Sequence, residues 1–170
     1  GDIDRAVGQI TASSPEALKF YFEARKRHMA TEYKEAIPLY EKAIAIDPQY
    51  ALAFTGLGDA YQVLGNNGFW PAGNAFPKAK EAALKALAID DKLAEAHASL
   101  APSLEYQDWD FIRAEKEFKL AIELSPGYAT AHQWYGMLFS ILGRHEEALR
   151  EIRTARNLDP LSPRINENVG

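Results

Sequence analysis

The chain has 170 residues, 19 Lys and Arg against 24 Asp and Glu, a formal charge of −5, and no cysteine. This length suits one domain with a sizeable core rather than two, and the missing basic excess argues against a phosphate-binding face, so no nucleic-acid contact is expected of this segment. Disulfides, thiolate metal sites and cysteine nucleophiles are excluded, and no apolar run or charged-then-apolar leader is present that would span a membrane or direct export.

In chain order, residues 1–13 read as a lead-in. Ser14-Pro15-Glu16 then supplies a capping hydroxyl, a proline where no helical N–H is needed, and an early acid, so a helix starts there. Its face carries Phe20, Glu23, Ala24 and Arg27, more polar than the faces that follow, as befits an end cap covered on one side only. Next comes a string, Ala36, Tyr40, Ala43 and Pro48, that recurs as Ala79, Ala83, Ala86 and Asp91, then as Ala114, Phe118, Ala121 and Pro126, then as Ala148, Ile152, Ala155 and Pro160. The opening alanine returns after 43, 35 and 34 residues. A second string precedes each of the last three: Phe54, Leu57, Gly58, Tyr61; His97, Leu100, Ala101, Leu104; His132, Tyr135, Gly136, Phe139. Its i, i+3, i+4, i+7 spacing marks one face of a helix.

Each unit is therefore a pair of helices, the first with an aromatic or apolar stripe and the second with alanines where helices approach closely. Ala86, Ala121 and Ala155 are expected at such crossings. The units span about 14–48, 49–91, 92–126 and 127–161, with residues 162–170 starting a fifth, because Asn166, Val169 and Gly170 repeat the register of His132, Tyr135 and Gly136. The chain thus reads as a fragment whose last complete pair has an under-covered apolar flank. Asp47-Pro48, Ser125-Pro126 and Asp159-Pro160 punctuate the units, Asp90-Asp91 replacing the proline once, and Gly65 and Gly143 are expected to close two first helices. The second unit holds nine extra residues near 66–76, within GNNGFWPAGNAFPKAK, which reads as an inserted loop before a helix opened by Pro77. Phe69, Trp70 and Phe76 are too apolar for a loose linker: they either pack on the helices, the favoured reading, or present a partner patch.

A 34-residue period with the pattern Phe54-x2-Leu57-Gly58-x2-Tyr61, then A-x3-F, then P, resembles the tetratricopeptide repeat over roughly Ser14–Gly170. The resemblance implies an all-α, right-handed superhelical array of antiparallel helix pairs. YALAFTGLGDAY, AFPKAKEAALKAL, LAEAHASLA, QDWDFIRAEKEFKLAIELSPGYATAHQWY and LDPLSPRIN look like segments that lie downstream of output domains in bacterial signalling proteins: winged-helix regulators, Ser/Thr kinases and nucleotide cyclases. In this family first-helix residues between the packing positions line an inner groove. Here these include Tyr21, Arg25 and His28; Thr55, Asp59 and Gln62; Glu95, Pro102 and Glu105; and Gln133 and Met137. The family's clamp for chaperone C-termini needs Lys, Asn and Arg, whereas the corresponding places hold Tyr21, Arg25, Gly56, Glu95 and Ser99, so that clamp is missing. Pro102, inside its helix, either bends it and widens the groove or is a tolerated substitution.

Catalytic patterns are absent. His28, His97, His132 and His145 lack a close two-histidine spacing, and no GxSxG or Walker sequence occurs. Asp108, Asp110 and Glu115 surround Trp109, where a helix cap is favoured over an ion site. The expectation is a non-enzymatic protein-interaction module with no cofactor and no metal, binding a protein or peptide through the groove or the 65–77 loop. The alternative is an intramolecular spacer or a scaffold that homodimerises through its repeat ends. The compartment stays open, with the cytoplasm slightly preferred.

Overall fold

The structure, a computed structural model, describes residues 14–162 and Ile165. The lead-in 1–13 and the expected fifth-repeat residues Asn166, Val169 and Gly170 lie outside the described residues. Eight helices follow one another among those described, with no strand: α1 Pro15–Met29, α2 Tyr33–Ile46, α3 Ala51–Asn66, α4 Ala72–Ile89, α5 Ala94–Asp108, α6 Phe111–Leu124, α7 Ala129–Ile141 and α8 His145–Leu158. Odd and even helices pair as antiparallel hairpins, each pair packs on the next, and α1, α3, α5 and α7 stack side by side along the inner face of a right-handed superhelix.

Helix ends follow local chemistry. Ser14 Oγ accepts from the Glu16 and Ala17 amides at 3.3 and 3.4 Å, and Asp110 Oδ1 accepts from the Arg113 amide at 3.0 Å, each satisfying donors that the first turn leaves unpaired. Gly143 closes α7 as expected, in a left-handed conformation with φ 72°. Gly65 does not close α3. That helix continues through Asn66, and Gly68 takes the left-handed position at φ 69°. Gly65 is instead a crossing point, where an added Cβ would lie 2.6 Å from Phe76 Cε1 and 3.1 Å from Ala75 Cβ.

The inserted segment departs from the sequence reading. Helix α4 begins at Ala72 behind Pro71, so Pro77 is an interior residue and does not open the helix. Only residues 67–71 connect α3 to α4, and much of the insertion forms an added N-terminal turn. Packing explains the difference: Ala75 is fully buried and Phe76 stacks on Tyr106 of α5, contacts that outweigh one lost helical hydrogen bond at Pro77. Pro38 sits at the same depth in α2, and Pro102 is a buried interior residue of α5.

The core runs the length of the array. Ala36, Ala43, Ala79, Ala83, Ala86, Ala114, Ala121 and Ala155 are all fully buried, and between them sit the largest buried side chains, among them Tyr40 and Phe118. The last pair is less covered, since α8 buries only Ala148 and Ala155 while Leu149, Leu158 and Leu161 are exposed.

Candidate functional site

The first helices bring the predicted groove residues to two concavities on the inner face. The first, of about 480 Å³, is lined by Tyr21 and Arg25 from α1, Thr55 and Asp59 from α3, Glu95 from α5, and Tyr128 from the turn before α7. It holds cation and carboxylates together. The second, of about 250 Å³, is lined by Gln62 from α3, Pro102 and Glu105 from α5, Phe118 from α6, and Trp134 and Met137 from α7. Of the predicted set, His28 and Gln133 line neither concavity. His28 is buried edge-on to Tyr33 at 5.0 Å, with Nδ1 3.4 Å from the Tyr40 hydroxyl, so it packs the first pair. Gln133 is buried within α7.

Glu105 stands apart electrostatically. Its side chain is 5% exposed, its Oε1 is buried with no hydrogen-bond partner, and burial pushes its carboxyl up to about 7. Burial, followed by the neighbouring Glu105 charge, pushes the adjacent Tyr106 phenol up to about 12. Sequence reasoning missed Trp134 and Tyr128 as lining residues. Trp134 lies one residue from the groove register, although its aromatic character signalled it; Tyr128 precedes its helix, so helical spacing does not reach it.

The loop aromatics do not form one patch. Trp70 is half-buried, edge-on to Tyr61 at 5.4 Å and with Lys78 Nζ 5.2 Å above its ring, and Phe76 stacks on Tyr106 at 5.3 Å. Phe69 remains 64% exposed. The acidic residues around Trp109 are likewise separated by function: Asp108 pairs with Lys80 at 2.5 Å, Asp110 caps α6, and Glu115 accepts from Tyr135 and Arg144 at 3.1 and 2.9 Å. No group of three potential metal-ligating residues is assembled among the described residues, and none of the described helices is long and apolar enough to cross a membrane.

Two histidines repeat one arrangement. His97 Nδ1 meets Glu117 Oε2 at 2.6 Å and Nε2 meets the Asp91 carbonyl at 2.9 Å; His132 meets Glu151 and the Pro126 carbonyl at 2.6 and 3.0 Å. At His132 the Glu151 hydrogen bond raises the imidazole pKa above its ordinary value, against the lowering effect of burial. A group whose folded pKa is raised contributes stability fully below its unfolded pKa, about 6.5 for histidine, and loses it as pH rises through the folded value. The melting temperature should therefore fall as pH rises through that window, and His132→Gln should flatten the fall. A variant whose melting curve against pH is parallel to the parent's would show that His132 stays neutral.

A tetratricopeptide (TPR) repeat model matches residues 32–65, the span from the start of α2 to the last turn of α3. A thermophilic TPR protein of Thermus thermophilus superposes with TM-score 0.72 at 18% identity, covering 97% of this chain and 84% of that one. Residues 32–65 thus match one tetratricopeptide repeat, and the fold of the described residues is that of TPR proteins. MamA superposes on this TPR array with TM-score 0.53 at 21% identity, over 86% of this chain and 80% of that one. The first TPR of Spaghetti (RPAP3), solved with an HSP90 peptide bound, gives 0.60 at 22%, over 79% and 98%. Among curated proteins, Transcriptional regulator HilA of Salmonella typhimurium is 28% identical over 80% of this chain, and human Tetratricopeptide repeat protein 6 is 26% identical over 77%. The array spans about a quarter of the length of these relatives, 25% and 24% respectively.

Proposed function

We propose that this TPR array is a non-catalytic module that holds an extended peptide segment of a protein partner along its inner face, within a larger bacterial regulatory protein. The observation that carries this reading is the gathering of groove positions from α1, α3, α5 and α7 at two concavities that mix charged, amide and aromatic groups. Likeness to HilA supports the regulatory setting, and the HSP90 peptide bound by a structural neighbour supports a peptide as ligand. The ligand here differs from a chaperone C-terminus, because Tyr21, Gly56, Glu95 and Ser99 stand where the carboxylate clamp needs basic or amide side chains. Selection of a displayed peptide library on this chain tests the reading. Selected peptides should lose binding in Met137→Glu, on the inner face, and keep it in Leu84→Glu, at an exposed site of α4. Failure to select peptides, or peptides indifferent to Met137→Glu, would overturn it.

A second reading is favoured by Leu149, Leu158 and Leu161, exposed on the last pair: that flank stacks on another copy of the chain. Light scattering across concentration separates the two, since a mass that doubles and returns to the monomer in Leu149→Glu supports end-stacking.

A further inference from the structure

We propose that the concavity at Glu105 is a receptor for one cationic side chain, a lysine or arginine of the bound segment; this rests on the peptide-groove reading above. Four properties of the site converge on that chemistry. Glu105 is nine-tenths buried and the Tyr106 side chain hydrogen-bonds its carboxyl, yet Oε1 has no hydrogen-bond partner, so one acceptor oxygen of a buried carboxylate is left without a donor. The walls beside it are Pro102, Met137 and Trp134, apolar surfaces that suit the methylene stem of a long basic residue. The hollow, about 250 Å³ counting the open solvent at its mouth, is about half the size of the first concavity, at about 480 Å³ on the same count, so it has room for little more than one side chain. The charge also fits: the chain carries −5 overall, and on the same inner face Asp59 and Glu95 outnumber Arg25.

Beyond the Tyr106 hydrogen bond, no lining group brings Glu105 a countercharge. Helix α3 brings Gln62 and Asn66, α6 brings Phe118, and α7 brings Trp134 and Met137, none of them charged; Tyr106, on the same helix, ionises only in strong base. In the empty site burial holds the Glu105 carboxyl near 7, so the acid is partly neutral at physiological pH. An arriving ammonium or guanidinium favours the carboxylate and expels its proton. Binding should therefore tighten as pH rises from about 6 to about 8 and should release up to one proton over that range.

The test uses n-butylguanidinium and n-butylammonium as probes, with neutral butyramide as control, followed by the Trp134 indole signal in NMR. The two cations should shift that signal saturably, more strongly at pH 8 than at pH 6, and butyramide should not. Glu105→Gln keeps the shape of the side chain and should weaken the response at least about tenfold. Equal response to butyramide, or a response unchanged in Glu105→Gln, would overturn the cation receptor. Library peptides separate this proposal from the groove reading. Peptides that bind the inner face without Lys or Arg preference and ignore Glu105→Gln overturn the receptor and leave the groove standing. Saturable cation binding with no peptide selected overturns the groove, and with it the peptide as the source of the cation, while the cation-binding hollow at Glu105 stands.

Discussion

Replacing Phe118 by alanine should lower the unfolding free energy by about 3–5 kcal/mol, measured by chemical denaturation. Phe118 is fully buried on α6, its ring 5.7 Å from that of Tyr135 on α7, within a cluster that includes Leu100, Leu104 and Ala114. It therefore joins the third pair to the fourth, and truncation removes contacts on both sides while leaving a cavity that rigid helices fill poorly. Since each pair in such an array is held only by its neighbours, the loss should also reduce cooperativity. A loss under about 1 kcal/mol would mean that α7 collapses onto α6, and the inner concavity lined by Phe118 would then shrink.

Ala121→Leu acts by the opposite mechanism and should cost about 1–3 kcal/mol through overpacking. Ala121 is fully buried together with Ala98 of α5 and Ala131 of α7, three alanines that let α6 approach both first helices. Three extra carbons have no space there, so the helices must separate or the leucine must leave its rotamer well. Glu123→Leu, two residues away and exposed, is the control and should change stability by no more than about 0.5 kcal/mol. Parental stability in Ala121→Leu would show that the helix register is wrong.

The repeat was legible because every pair solves the same steric problem. The two strings visible in the sequence meet in space: a Cβ on Gly136, in the α7 stripe, would lie 2.7 Å from Ile152 Cγ1 and 3.1 Å from the Ala148 carbonyl, both in the α8 string. Small residues recur because backbones touch there, and spacing records that directly. The inserted segment was misread for a different reason. Glycine, asparagine and proline set a local preference for loop, while the helix that forms depends on Gly65 admitting Phe76 and on Tyr106 stacking on it, partners distant in the chain. The inner face was legible in part, because helical spacing names Tyr21, Arg25, Asp59, Glu95 and Glu105. Spacing along one helix cannot show that the neighbouring helices bring no donor to Glu105, nor that Tyr128 reaches across to the Arg25 side.

The two His–Glu pairs have counterparts in the other units. In the register of His97–Glu117 and His132–Glu151, the second unit places Phe54 with Ala82 and the first places Phe20 with Leu39. Phe54 and Ala82 line one hollow, and Phe20 and Leu39 pack against one apolar cluster. One position in the repeat is thus filled in two dialects, greasy in the N-terminal half and hydrogen-bonded in the C-terminal half, and a residue from one dialect is mismatched with a partner from the other. Swapping whole pairs between halves respects that grammar; swapping one member strands a carboxylate against an aromatic ring. The halves therefore differ as materials, with acidity acting on the His132–Glu151 joint of the C-terminal half and temperature-dependent water ordering acting on the N-terminal joints.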